Sequence, residues 1–201
     1  MTDRLVNENM PPKSKEQFEI IRQDRRIAIL EAALRLFGRE GYHGSSMASL
    51  AKEAGISKGL IYNYFSNKEE VLVEMVSMGL RKMVEYYNIE DKDITDEIMS
   101  QVIEKNFEMI EINPEFWSIY FAVILQPGIR DKAIRLAMEQ VNKYNLKFAA
   151  YFQRKGFENP MQEAVFIGSI FDGVSLNFLY NSSYYDKYYA INRIKEILKI
   201  K

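Results

Sequence analysis

The sequence predicts an all-α fold, with an N-terminal three-helix bundle, a larger C-terminal helical domain and about nine helices in total. Apolar residues recur at spacings of three and four along most of the chain, which is the period of an α-helix. Proline, glycine and capping residues separate these periodic stretches, and no stretch has a convincing strand pattern. We therefore divide the chain into a flexible arm at 1–13, a first domain at 14–66 and a second domain at 67–201.

Composition excludes several classes of protein. The chain has no cysteine, which excludes disulfides and thiolate metal sites, and its one histidine is His43. No apolar run approaches the ~20 residues that span a membrane, and the N-terminus lacks the apolar core of a signal peptide. We expect a cytoplasmic protein with no metal, no cofactor and no membrane contact. Because the net charge is −1, any binding of nucleic acid must depend on a local basic surface.

The first helix is predicted to begin at Ser14, which forms a capping box with Gln17. It continues to Glu40, and Gly41 ends it. Its buried stripe is predicted to contain Ile27, Leu30, Leu34 and Phe37.

Residues 48–68 predict two helices joined by a tight turn. Gly55 can adopt positive φ and end the first of them, and Ser57 is placed to cap the second. That second helix, about two turns long, has little to bury and exposes long polar and aromatic side chains. A helix-turn-helix, whose second helix enters the DNA major groove, has this layout.

The second domain is predicted to begin with a long helix at 67–88, capped by a box formed by Ser66 and Glu69. Cap-proline and Pro-Gly signals divide the remainder into helices at about 94–112, 114–126, 129–155, 160–180 and 186–200. The 160–180 helix is apolar nearly all round, which predicts burial on all sides. We therefore expect it to form, with the last helix, the interface of a homodimer.

Residues 29–72 resemble the DNA-binding domain of the TetR family of bacterial transcriptional regulators. The resemblance rests on a specific combination at fixed spacing, namely Ala54-Gly55-Ile56-Ser57, Gly59-Leu60-Ile61-Tyr62, Tyr64-Phe65 and Lys68. It covers about a quarter of the chain, and elsewhere only the plan is similar. It implies a homodimeric, sequence-specific repressor with a C-terminal ligand-binding and dimerisation domain, which leaves a near-palindromic operator when a small molecule binds.

Seven residues are candidates for the surface that contacts double-stranded DNA: Ser46, Lys58, Gly59, Tyr62, Asn63, Tyr64 and Lys68. Tyr62 and Lys68 are expected to hold phosphate, which sets position rather than sequence, although Tyr62 could instead be a core residue. Lys58, Asn63 and Tyr64 are better placed for base edges. Arg22, Arg25 and Arg26 either approach the DNA backbone or form a solvated face.

The candidate ligand site consists of aromatic residues from helices that should converge, together with one carboxylate: Tyr86, Phe107, Trp117, Tyr120, Phe121, Tyr144, Phe148, Phe171 and Asp172. Cavities between the helices of a bundle are common ligand sites, so we expect a lipophilic or aromatic effector. The alternative for the aromatic residues is an ordinary hydrophobic core.

The two alternative functions are a DNA-binding protein regulated by a protein partner and an enzyme. A DNA-binding protein of the same fold could bind a protein partner through its C-terminal domain instead of a small molecule. The sequence has no glycine-rich phosphate loop, metal cluster or nucleophile-base pair, so we predict no catalytic residues and no enzyme activity.

Overall fold

The computed structural model describes residues 14–181 and 183–200, except for the side chains at 130–134, 136–138 and 140. The arm predicted at 1–13 lies outside the described residues. The described part contains nine helices and no strand, which confirms the predicted all-α class. They are α1 (Lys15–Glu40), α2 (Met47–Glu53), α3 (Lys58–Ile61), α4 (Lys68–Tyr87), α5 (Asp96–Ile112), α6 (Pro114–Ile124), α7 (Ile129–Arg154), α8 (Pro160–Asn181) and α9 (Lys187–Ile197).

Most helix boundaries follow the predicted local signals. Ser14 and Gln17 form the capping box of α1, and Gly41 ends that helix at a φ of 75°. The box predicted for α4 is wrong by one residue: Asn67 is the cap and accepts from the Glu70 backbone N–H at 2.9 Å. Asparagine is as good a cap as serine, so the sequence pattern alone could not choose between adjacent positions.

The first domain is built on the second half of α1, whose side chains from Ile29 to Phe37 are largely buried. That half packs against α2, α4 and α6. The predicted stripe begins too early, because Ile27 is 45% exposed. The first three turns of α1 contribute no buried residue. The apolar residues that recur there at helical spacing therefore have no other helix in the described chain to pack against.

In the second domain, α7 and α8 pack along each other, α5 contacts both α8 and α9, and α4 connects this layer to the first domain. Within a single protomer α8 is covered on one side, and the interface predicted to bury its other side stays a prediction. Ala164 and Ile167 face the interior, whereas Val165, Phe166 and Tyr180 are 47%, 53% and 59% exposed. The neighbouring helices cover one side of α8 and leave the opposite apolar side open.

Among the helices of the described residues, none is both long and apolar enough to cross a bilayer.

Candidate functional site

The segment that leads from α3 to α4 presents most of the predicted DNA-contacting residues. Ser57 caps α3 by accepting from the Leu60 N–H at 3.2 Å, as predicted. The helix ends at Ile61, so the expected two-turn helix is too long, and Tyr62–Tyr64 lie in a turn. Ile61 and Phe65 are both fully buried. These two anchors hold the short segment on the α1–α4 core.

The outer face of this segment is open to solvent. Lys58, Gly59 and Asn63 are exposed, and Tyr62 is 47% exposed. A Cβ added at Gly59 would have no atom within 4 Å. Tyr64 is half-buried against the core. The segment therefore exposes a cation, an amide and a phenol around a glycine that allows close approach.

Ser46 is the exposed N-cap of α2 and is engaged there with Ser49. Its hydroxyl accepts from the Ser49 N–H at 3.0 Å, and the Ser49 hydroxyl accepts from the Ser46 N–H at 2.8 Å. This reciprocal pair is a capping box that fixes the start of α2.

Lys68, the first residue of α4, makes contacts within the protein that the sequence did not indicate. Its Nζ donates to the carbonyl oxygens of Tyr42 and Ser45, each at 2.6 Å. The same ammonium lies 4.3 Å from the centroid of the Tyr42 ring. Lys68 thus joins the start of α4 to the turn between α1 and α2, and its assignment to phosphate remains a prediction.

Arg26 has a comparable internal role. It donates to Glu74 at 2.8 Å and to Glu70 at 3.3 Å, and also to the Tyr64 carbonyl. Its guanidinium lies 4.3 Å from the Phe65 ring centroid. The hydrogen bond to Glu74 is the largest cause of the raised pKa of Arg26. Arg26 therefore ties α1 to the start of α4 at the end of the segment between α3 and α4.

Of the three arginines considered for the DNA backbone, Arg22 and Arg25 are the exposed ones. Sequence reasoning missed the internal role of Arg26. The spacing of Glu70 and Glu74, which places both carboxylates on one face of α4, was the signal that could have found it.

Four of the predicted ligand residues form a packed aromatic interior. Trp117 lies 5.5 Å from Tyr120 between ring centroids, and Tyr120 lies 6.0 Å from Phe121. The Tyr120 hydroxyl donates to the Val76 carbonyl at 3.1 Å, and burial raises its pKa. Phe107 packs edge-on against Phe178 on α8. These residues are buried and have the contacts of a hydrophobic core.

The remaining predicted ligand residues differ in exposure. Tyr86, Phe148 and Phe171 are half-buried, and Asp172 is exposed on α8 but close enough to Tyr120 that, besides burial, its charge raises the pKa of that phenol. Tyr87, beside Tyr86, donates its hydroxyl to Asn106 at 2.9 Å. The structure therefore does not bring all nine predicted residues together around one space.

A cavity of about 310 Å³ lies between α4 and α7, and Tyr144 is the predicted ligand residue that lines it. The Tyr144 hydroxyl donates to Glu90, and burial, followed by that carboxylate, raises its pKa to about 12. Apolar and charged groups share the wall, which consists of Leu80, Arg81, Val84, Glu85, Glu90, Lys143 and Tyr144. Such a space suits an amphipathic molecule better than a purely apolar one. Within the described residues, no group of three or more His, Asp or Glu side chains is arranged to hold a metal ion.

Comparison with known proteins agrees with the geometry of the first domain. Residues 29–75 match the family model described as bacterial regulatory proteins, tetR family. The fatty acid metabolism regulator protein of Bacillus subtilis is 33% identical over 86 residues, which are 42% of this chain and 44% of that protein. The chain thus spans less than half the length of that relative.

Two further matches extend over most of the chain. The HTH-type transcriptional regulator YfiR of B. subtilis is 23% identical over 185 residues, covering 89% of this chain and 88% of YfiR. The crystal structure of the B. subtilis transcriptional regulator FadR in complex with stearoyl-CoA has a TM-score of 0.67 at 23% identity, covering 86% of this chain and 96% of that one. The structural match supports the same fold throughout.

Proposed function

We propose that this chain, which belongs to the TetR family of bacterial regulatory proteins through its DNA-binding domain at 29–75, represses transcription by binding a near-palindromic operator. The carrying observation is the outer face between α3 and α4, where Lys58, Tyr62 and Asn63 are exposed around an unobstructed Gly59. Lysine can pair with guanine and asparagine with adenine in the major groove. A rigid core below them supplies a fixed platform.

The operator should be read by a homodimer. The outward face of α8 is apolar, with Val165 and Phe166 half exposed, and a Cβ added at Gly168 or Gly173 would have no atom within 4 Å. A second α8 can therefore approach this face closely. We assign the dimer interface to α8 and α9, which presents two copies of α3 to half-sites about one helical turn apart.

The effector is proposed to be a small lipophilic or aromatic molecule. An acyl thioester of coenzyme A is the first candidate, because FadR of B. subtilis was crystallised with stearoyl-CoA. The cavity at Tyr144 offers apolar groups together with two cations, Arg81 and Lys143, and two carboxylates, Glu85 and Glu90, which suits an amphipathic ligand. Since α4 contacts α7 as well as α1, occupancy at this cavity could shift the start of α4 and the attached DNA-binding segment.

DNA binding is tested by selecting fragments from a random double-stranded library with the full chain and sequencing those retained. We expect an enriched near-palindrome, and an Asn63→Ala variant should lose preference at one base position in each half-site while keeping the rest. Gln101→Ala, an exposed change on α5, is the matched control and should select the wild-type motif. Failure of the wild-type chain to enrich any sequence would contradict the proposal.

Effector binding is tested on the selected fragment with palmitoyl-CoA, using free coenzyme A and palmitate as separate arms. Release by palmitoyl-CoA alone supports an acyl thioester, and release by palmitate supports a fatty acid. By linkage, DNA must weaken effector binding by the same factor that the effector weakens DNA binding.

A second candidate is regulation by a protein partner in place of a small molecule. The packed Trp117–Tyr120–Phe121 interior favours it, because these rings fill the centre of the second domain. DNA release by a protein from the same cell, with no release by any lipophilic probe, would select this alternative.

A further inference from the structure

Gln126, in the turn between α6 and α7, reaches from the second domain to the first. Its Nε2 donates to the Phe37 carbonyl at 3.1 Å, at the C-terminal end of α1. Its Oε1 accepts from the Tyr42 backbone N–H at 3.0 Å. One amide side chain therefore supplies both a donor and an acceptor to the point where α1 ends and the turn to α2 begins.

The backbone at Tyr42 is consequently held from two sides. Gln126 accepts its N–H, and Lys68 on α4 donates to its carbonyl. Tyr42 is itself buried and packs edge-on against Phe37. Three residues further on, Ser45 donates its hydroxyl to the Gly41 carbonyl at 2.6 Å, immediately before α2. The position of this turn thus determines where α2 and α3 lie on α1.

The contact between α1 and α6 surrounds this connection. A Cβ built on Gly38 would lie 2.5 Å from Ile119 Cγ2, so the helices touch closely at that point. Beside it is a groove of about 370 Å³, lined by residues of the same two helices. Packing at Gly38 sets the distance between α1 and α6, and the directional hydrogen bonds of Gln126 fix the turn that follows α1.

We propose that Gln126 is a positioning residue for the DNA-binding unit. Through the Tyr42 turn it holds α2 and α3 in the arrangement that meets DNA, and it gives the α6–α7 turn a connection to that unit separate from α4. The inference rests on the proposed DNA-binding function. It adds a second mechanical route from the second domain to the DNA-facing surface.

The test compares Gln126→Met with Gln101→Met in the full chain. Methionine keeps the length of the side chain and removes both hydrogen bonds, and Gln101 is exposed on α5. We expect amide exchange at Tyr42 to accelerate by roughly five- to thirtyfold in Gln126→Met, as for loss of one or two neutral hydrogen bonds. Affinity for the fragment selected by the wild-type chain should fall by at least about fivefold on the same basis. The Gln101→Met variant should match the wild type in both measurements.

Gln126→Glu separates positioning from simple loss of stability. Glutamate keeps an acceptor for the Tyr42 N–H but turns a carboxylate oxygen toward the Phe37 carbonyl oxygen, which repels it. Exchange at Tyr42 should therefore be faster and DNA affinity lower than in the wild type, with an unchanged dimer by sedimentation. If Gln126→Met does not fold, the Gln126→Glu measurements decide. Faster exchange at Tyr42 with unchanged DNA affinity would overturn the positioning role, and so would unchanged exchange. If the wild-type chain selects no DNA, the proposed function fails, whereas the exchange result still decides whether Gln126 holds the turn.

Discussion

Replacing Lys68 by methionine tests whether this ammonium holds the protein or the DNA. Methionine retains most of the apolar stem and removes the charge. The structure places the Lys68 ammonium 2.6 Å from each of two carbonyl oxygens, on Tyr42 and Ser45. We therefore expect the variant to lose stability, with little change in the number of phosphates the protein neutralises.

The magnitude follows from these contacts. A hydrogen bond to a charged group contributes about 1.5–3 kcal/mol. Because Lys68 is half-buried, we take the lower end for each bond, which gives a loss of about 3 kcal/mol from two bonds. For a chain of this size, about 2–4 °C is lost per kcal/mol, so the melting temperature should fall by about 6–12 °C. Thermal melts followed by circular dichroism at fixed protein concentration measure this shift.

Lys58→Met is the matched comparison, because Lys58 is exposed on α3. Its melting temperature should stay within about 2 °C of the wild type, as is usual for surface substitutions. Because Lys58 is proposed to meet a base edge, its variant should relax the preference at one base pair of each half-site and leave the salt dependence of DNA binding nearly unchanged. If Lys68→Met instead melts like the wild type and lowers the slope of log K against log salt by about 1.8, as loss of one phosphate contact from each protomer of a dimer would, the internal role deduced for Lys68 is wrong.

Three further variants test other parts of the molecule. Gly59→Ala should raise the stability of the free protein by up to about 1 kcal/mol, because alanine favours the helix and its methyl group has open space there. The same change should weaken DNA binding in a mobility-shift assay. Unchanged affinity would exclude a close approach of DNA to the backbone at this position. Glu70→Gln should make the stability of the protein less sensitive to acid, as measured by denaturation curves at a series of pH values. The Ser66 N–H and other partners lower the Glu70 pKa from 4.5, so the carboxylate stabilises the fold above pH 4.5 and this stabilisation is lost as the pH falls through the lowered pKa. An unaltered pH profile would contradict this reasoning. Gly38→Ala should destabilise the chain by about 1–3 kcal/mol through overpacking against Ile119, as measured by urea denaturation, whereas a gain in stability would show that α6 yields freely.

The local features of the first domain were accessible to sequence reasoning. Capping by Ser14 and Ser57 and the positive φ of Gly41 and Gly55 depend on neighbours a few residues away. The same local chemistry predicted the exposed residues between α3 and α4. The length of α3 was misjudged because the residues after Ile61 keep helical spacing, with Phe65 buried like Ile61, while the chain there forms hydrogen-bonded turns in place of a continued helix.

The candidate ligand site was less accessible. Aromatic residues at helical spacing identify an apolar face, but they do not distinguish a packed interior from the wall of a cavity. Tyr120 packs so closely over Gly79 that an added Cβ would lie 2.1 Å from its ring, whereas Tyr144 lines an open space. That difference depends on the separation and rotation of whole helices.

The sequence by itself determined the helical architecture and the exposed segment between α3 and α4 that we propose meets DNA, because caps, turns and periodicity act over a few residues. Only the tertiary structure decided which polar side chains hold the protein together. Arg26, Lys68 and Gln126 are of residue types that usually lie on the surface, yet their partners lie 23 to 89 positions away in the chain. Such pairings depend on how α1, α4 and α6 meet. Because Arg26 and Lys68 are engaged within the protein, Lys58 is the exposed cation on α3 that the DNA-facing segment retains.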